Sequence, residues 1–213
     1  VKKYVITIIN NPDSVEASQK CIDSAKKFGY DVEVFPAITP ENDVHKLFDY
    51  HQLSTDEFLD NPFSRTDPTM ACFLSHHALW SVAHHLKEPI MILEHDAVFT
   101  SKLPEVEIHR LVNFGKPSFG TFNLPPFEGL FNLFSKGGQY LGGAHAYAVS
   151  PEGAGMLLEE ARQCAKPTDL FINNKSIPGA KEYYPWSVVV DDRISTIQKE
   201  EGCLAKHNKV VPV

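Results

Sequence analysis

YVITIINNPDSVEASQKCIDSAKKFGYDVEVF, Tyr4 to Phe35, reads as strand, helix, strand. Tyr4 to Ile9 is a β-branched run of the kind that forms a buried strand, and Asn10, Asn11 and Pro12 break it. Ser14 is placed to cap a helix that buries Cys21, Ile22, Ala25 and Phe28 at helical spacing and stops at Gly29. Asp31 to Phe35 alternates as a second strand. A βαβ unit of this kind closes with a right-handed crossover, so the chain opens as an α/β fold. Outward from it, residues 40–69 are polar, with weak helical spacing at Val44, Leu47 and Phe48. Pro62, Asp67 and Pro68 mark 60–69 as a loop or lid. A helix is predicted over Met70–Leu86, and Ile90–Glu94 is apolar enough for a central strand covered on both faces. A helix is expected over Pro104–Phe114 and a strand near Phe119–Asn123. The prolines and glycines of 124–138 make a long loop. Ala144–Ser150 alternates alanines against His145, Tyr147 and Val149. Ser150 and Pro151 start another helix, with Ala154, Leu157, Leu158 and Ala161 as its buried stripe. A last strand falls near Tyr183–Val189. No internal repeat is visible.

The 213 residues suit one domain. Twenty Lys and Arg against 27 Asp and Glu leave a net charge of −7, which argues against a nucleic-acid binder needing a basic stripe. The four cysteines form no C-x-x-C pair, so a zinc ribbon is not expected and a reducing compartment is. No apolar run reaches the ~18 residues of a membrane span. The expectation is a soluble cytoplasmic domain with no transmembrane segment.

The sharpest chemical feature is IMILEHDAVF, Ile90 to Phe99. A buried strand emerges directly into Glu94, His95 and Asp96, at the strand end where open α/β sheets bind ligands. Glu94 and Asp96 can face one divalent ion, and hard oxygen ligands suit Mg²⁺ or Mn²⁺. The same pattern also serves as a polar turn. On the Met70–Leu86 helix, His77 and His84 share a face but stand about 10 Å apart at ~1.5 Å rise per residue, so this helix alone holds no zinc. His76, one turn before Trp80, reads either as a phosphate or sugar contact or as a buried histidine bonded to backbone. Ser75 and His76 are adjacent and diverge, so they form no nucleophilic dyad. Phosphate-binding glycine motifs are missing. Gly142 and Gly143 permit close backbone approach. Asp169 reads as a helix cap or a general base, and Asp191 and Asp192 as a solvated turn or a base.

Several of these pieces together resemble family 25 of the glycosyltransferases, the lipooligosaccharide-biosynthesis and collagen galactosyltransferase group. CFLSHHALW (Cys72 to Trp80) resembles the family's G-C-x-x-S-H-x-x-x-W helix, and ILEHDAVF (Ile92 to Phe99) its I-L-E-D-D strand end. GGAHAYAVSPEGAGMLL (Gly142 to Leu158), PTDLFI (Pro167 to Ile172) and the STI of Ser195 to Ile197 are similar to later elements, in the right order. Two departures stand out. The loop NNPDSVEAS lacks the family's arginine, and E-D-D has become Glu94-His95-Asp96.

The resemblance implies a compact Rossmann-like glycosyltransferase A-type fold with a central mixed, mostly parallel sheet. It also implies a single domain over 1–213, with the nucleotide half near 1–100 and the acceptor half near 101–213. It implies a UDP-sugar donor, with galactose as the hexose, a saccharide or other hydroxyl acceptor, Mn²⁺ (or Mg²⁺) at Glu94 and Asp96, and inversion at the sugar carbon. Asp169 is the base in this reading, because PTDLFI matches the family's P-x-D element. Asn10, Ser75, His76, Gly143 and His145 are the substrate-binding set. A sugar- or protein-binding module without turnover and a metal-dependent hydrolase are the rivals.

Overall fold

The computed structural model describes residues 1–59, 64–119, 121–134, 139–191 and 209–212. Pro62, Gly137, Gly138, Asp192, Ser195–Ile197 and Cys203 lie outside them. In chain order the elements are β1 (Lys2–Thr7), α1 (Pro12–Lys26), β2 (Glu33–Pro36), α2 (Val44–His51) and α3 (Thr66–Leu86). Then come β3 (Ile90–Glu94), β4 (Ala97–Phe99), β5 (Leu111–Asn113), β6 (Thr121–Leu124) and β7 (Gly129–Asn132). The last are β8 (Ala146–Val149), α4 (Pro151–Gln163), α5 (Thr168–Phe171), β9 (Lys181–Tyr184), β10 (Val188–Val190) and β11 (Lys209–Pro212).

Seven strands form one sheet in the order β2-β1-β3-β8-β5-β9-β7. The pairings β1–β2, β1–β3 and β5–β9 are parallel, while β8 runs antiparallel to β3 and β5, and β7 to β9. Five strands therefore point one way and two the other, the mixed, mostly parallel α/β sheet the sequence implies. Period-2 alternation divides its faces. Ile90, Ile92, Tyr147, Val149 and Leu111 enter a core under α2, α3, α4 and α5. Met91, Leu93, Ala146, Ala148 and Val112 enter a second core with Cys21 and Ala25 of α1. Among the described residues, no helix is long and apolar enough to cross a membrane.

Several expectations need correction. Asn11, not Ser14, caps α1: its side chain accepts from the Ser14 N–H, with Pro12 in the first turn where a missing donor costs nothing. The first strand ends at Thr7, before exposed Ile9. The long helix begins at Thr66, four residues before Met70, because Pro68 falls in a first turn whose N–H groups have no intrahelical partner. Residues 102–108 are irregular rather than helical. Leu103, Val106 and Ile108 pack on the second core from extended chain, and 111–113 are drawn into the sheet as β5. The strand expected near 119–123 is β6, which pairs with β11 outside the main sheet. Within the expected 124–138 loop, β7 forms a sheet edge against β9. The last strand is two, β9 and β10, separated around Pro185.

Candidate active site

The chain places β2 on one side of β1 and β3 on the other, so strand order reverses between β1 and β3. At such a reversal the connections leave in opposite directions, and a crevice opens beyond the carboxyl ends. Ile6 is in register with Glu94, so the β1 exit and the β3 exit flank that crevice side by side. The Ser14 hydroxyl bridges it. Its oxygen accepts the Ile8 N–H at 2.9 Å and lies 2.8 Å from His95 Nδ1. The histidine that stands in the resembled E-D-D position is thereby turned back toward the start of α1. Asn10 is exposed at the same exit.

Glu94 is the centre of the site. The His76 ring lies with Nε2 3.3 Å from Glu94 Oε1, and the Cys72 Sγ is 4.0 Å from the same oxygen. A carboxylate only accepts, so His76 Nε2 carries the proton of that contact. The other nitrogen, Nδ1, is 2.9 Å from the Tyr147 hydroxyl, which accepts the Trp80 Nε1–H at 2.8 Å. Trp80, Tyr147 and His76 are fully buried, so the chain Trp80–Tyr147–His76 fixes the imidazole against the carboxylate from inside the core. Burial pushes the Glu94 carboxyl up, but the His76 hydrogen bond and the His76, His145 and His95 imidazoles outweigh it, and the net shift is downward. Among the described residues, Cys72, His76 and Glu94 are also a group of three metal-ligand side chains whose ligand atoms lie within 4.8 Å of one another.

Asp169 enters at the start of α5. Its carboxyl is raised to about 7, first by burial and then by the negative charge of Glu94. Its Oδ1 accepts the N–H of Leu170. Asp96 follows Glu94 in the two-residue turn between β3 and β4, and its carbonyl accepts the Asp191 N–H at 2.9 Å. Asp191 is thus brought by β10 to the acidic strand end and is partly buried, not a freely solvated turn.

His145 is buried beneath Gly115 and Gly143, and neither ring nitrogen has a hydrogen-bond partner among the described residues. Burial holds it down to about 4, so the ring is neutral. Gly143 has φ +112°, and a side chain there would run into Ser118 Oγ and the His145 ring. The backbone can approach closely only because it is glycine. Ser75, by contrast, is turned inward. Its hydroxyl donates to Ala71 O and accepts the Ile38 N–H, both at 2.9 Å, and ties α3 to the segment after β2.

The structure therefore gathers Glu94, Asp96, His76, His145 and Asp169 around the β3 exit, with Asn10 at the neighbouring exit and Ser75 in the interior. Sequence reasoning misses Cys72 as a site residue and leaves Asp191 between a turn and a base. The Cys72–His76 separation of four, which puts both on one helix face, is the readable signal for the first. Nothing local signals the place of the second, which depends on β10 pairing with β4.

The sequence model of glycosyltransferase family 25 (LPS biosynthesis protein) matches residues 1–114, which includes the β1 exit, Cys72 to Trp80 and the whole β3 exit. No curated protein matches the chain. A match over more than half of the 213 residues, centred on the elements that build this crevice, makes the protein a member of glycosyltransferase family 25.

Proposed function

We propose that the protein transfers a hexose, galactose by family resemblance, from a UDP-sugar to a hydroxyl of a saccharide or similar acceptor, with inversion at the anomeric carbon. The observation that carries this reading is the pair of carboxyl groups at the crevice with opposite tuning. Glu94 is held toward the charged form chiefly by the His76 hydrogen bond, and Asp169 is raised to about 7. Groups whose environments push their pKa values apart are the usual mark of divided roles.

The residue types suit a hard divalent cation, since two carboxylates stand two residues apart at the strand end, Glu94 on β3 and Asp96 in the turn after it. Glu94 and Asp96 would hold Mn²⁺ or Mg²⁺, which supplies positive charge for the oxygens of the departing diphosphate. Asn10, exposed at the β1 exit beside the start of α1, would meet the donor there.

Asp169 accepts the proton of the acceptor hydroxyl as that oxygen forms its bond to the anomeric carbon and the bond to the diphosphate oxygen breaks. A base with pKa near the working pH combines an adequate carboxylate fraction with useful basicity. Gly143 lets the backbone close onto Ser118 and onto His145, which stays neutral beneath it and would line the sugar side of the site. Residues 1–100 serve the nucleotide and the rest the acceptor.

Incubating the protein with UDP-hexoses, with and without saccharide acceptors, tests this by following UDP release and product mass. Acceptor-stimulated UDP release is expected, greatest with UDP-galactose. Sugar binding with no UDP release from any donor would instead support a binding module.

A further inference from the structure

From Cys72, His76 and Glu94 we infer a second metal site of different chemistry from the oxygen pair Glu94 and Asp96: a thiolate–imidazole–carboxylate site that takes Zn²⁺ and competes for Glu94. It goes beyond the proposed transfer reaction and does not depend on the identity of the donor.

The geometry is that of a three-ligand zinc site with one open position. Zn–N and Zn–O bonds of about 2.1 Å and a Zn–S bond of about 2.3 Å at tetrahedral angles put ligand atoms about 3.4–3.6 Å apart. Here His76 Nε2 to Glu94 Oε1 is 3.3 Å and Cys72 Sγ to Glu94 Oε1 is 4.0 Å, and all three atoms fall within 4.8 Å of one another. Closing the triangle onto an ion takes shifts of a few tenths of an ångström to about an ångström in side chains alone. Cys72 and His76 sit four apart on α3, the spacing that presents two ligands from one helix face, and β3 supplies the third from a rigid central strand.

The outer support is also present. A ligating histidine needs its second nitrogen held, and His76 Nδ1 faces the Tyr147 hydroxyl at 2.9 Å, itself held by Trp80. On binding, the Cys72 thiol proton passes to solvent, and the imidazole proton resides on Nδ1 facing the Tyr147 oxygen. His76 is fully buried, while Cys72 and Glu94 are partly exposed, so the fourth position opens on the crevice. Sulfur and imidazole select zinc or cobalt over Mg²⁺ and Mn²⁺, which prefer oxygen. An ion seated here takes a carboxylate oxygen away from the Glu94–Asp96 pair.

Titrating the reduced, chelator-stripped full chain with Co²⁺ and then Zn²⁺ tests the site. A thiolate-to-cobalt charge-transfer band should appear, saturate at one ion per chain and be displaced by Zn²⁺. Cys72→Ser should abolish the band. Glu94→Gln should weaken binding, and Tyr147→Phe should weaken it by about 10–100-fold. Asp96→Asn should keep the band while losing Mn²⁺-dependent UDP binding, which separates this site from the transfer reading. Absence of the band from the unaltered protein overturns the inference. So does a band of equal strength and affinity in Cys72→Ser, which would place the ion on another thiol.

Discussion

In the proposed transfer, Asp169 is the group that takes the proton of the acceptor hydroxyl. Its carboxyl is raised to about 7 by burial and by Glu94, so the proton-accepting form builds up only as pH climbs through that value. The transfer rate should therefore rise with pH through about 7 and level off above it. Asp169→Asn should lower the rate by about 10²–10⁴-fold with UDP binding near that of the unaltered protein. The same shift has a stability consequence of opposite sign. A carboxyl raised on folding supports the fold fully below its unfolded pKa, and that support is lost as pH rises through the folded value. Asp169→Asn should therefore unfold at a higher temperature than the parent at about pH 8, and thermal melts across pH will show this. A near-normal rate in the folded variant would reduce Asp169 to the local backbone contact it makes with Leu170.

At the scale of elements, α3 couples core and site. Trp80 is fully buried, stacks on Phe171 and meets Phe73 edge-on while donating to Tyr147. Trp80→Ala should cost about 3–5 kcal/mol by denaturant unfolding. It should also loosen the His76 ring, because the Tyr147 hydroxyl loses its donor. A cost below about 1 kcal/mol would contradict the packing described here. The same scale shows what is legible in the sequence. Ile90–Glu94 can be read to the residue, because an unbroken apolar run ending in an acid has one sensible place in a sheet. Ser150 capping α4 is equally plain from Ser-Pro before a helical stripe. The region from 102 to 113 is not. Leu103 and Val106 are spaced as on a helix, yet they pack from extended chain, and three-residue β5 is too short to announce itself by alternation. Candidate site residues follow the same division. Glu94 and Asp96 lie on a strand exit visible in sequence. The burial of His145 beneath two glycines and the approach of Asp191 to Asp96 arise only from sheet order.

At the scale of the whole molecule, one sheet carries both the crevice and the charge balance of the fold. Far along it from β3, Glu182 on β9 is buried and its carboxylate accepts the Trp186 Nε1–H, and burial raises it to about 7. Its support for the fold is complete below about pH 4.5 and is lost as pH rises through about 7. Glu182→Gln should remove that loss, stabilising the protein by on the order of 3 kcal/mol at most near pH 8 and by little near pH 4.5. Equal melting shifts at both pH values would contradict this. In the proposed function, the reversal of strand order between β1 and β3 makes a nucleotide-sugar site whose acidic strand end works through a divalent cation. Calorimetric titration of UDP into the parent chain and Asp96→Ala, with and without Mn²⁺, tests it most directly. UDP should bind the parent only when Mn²⁺ is present, and Asp96→Ala, still folded by circular dichroism, should not bind it under either condition. Equal UDP affinity in the two proteins, or affinity indifferent to Mn²⁺, would contradict it.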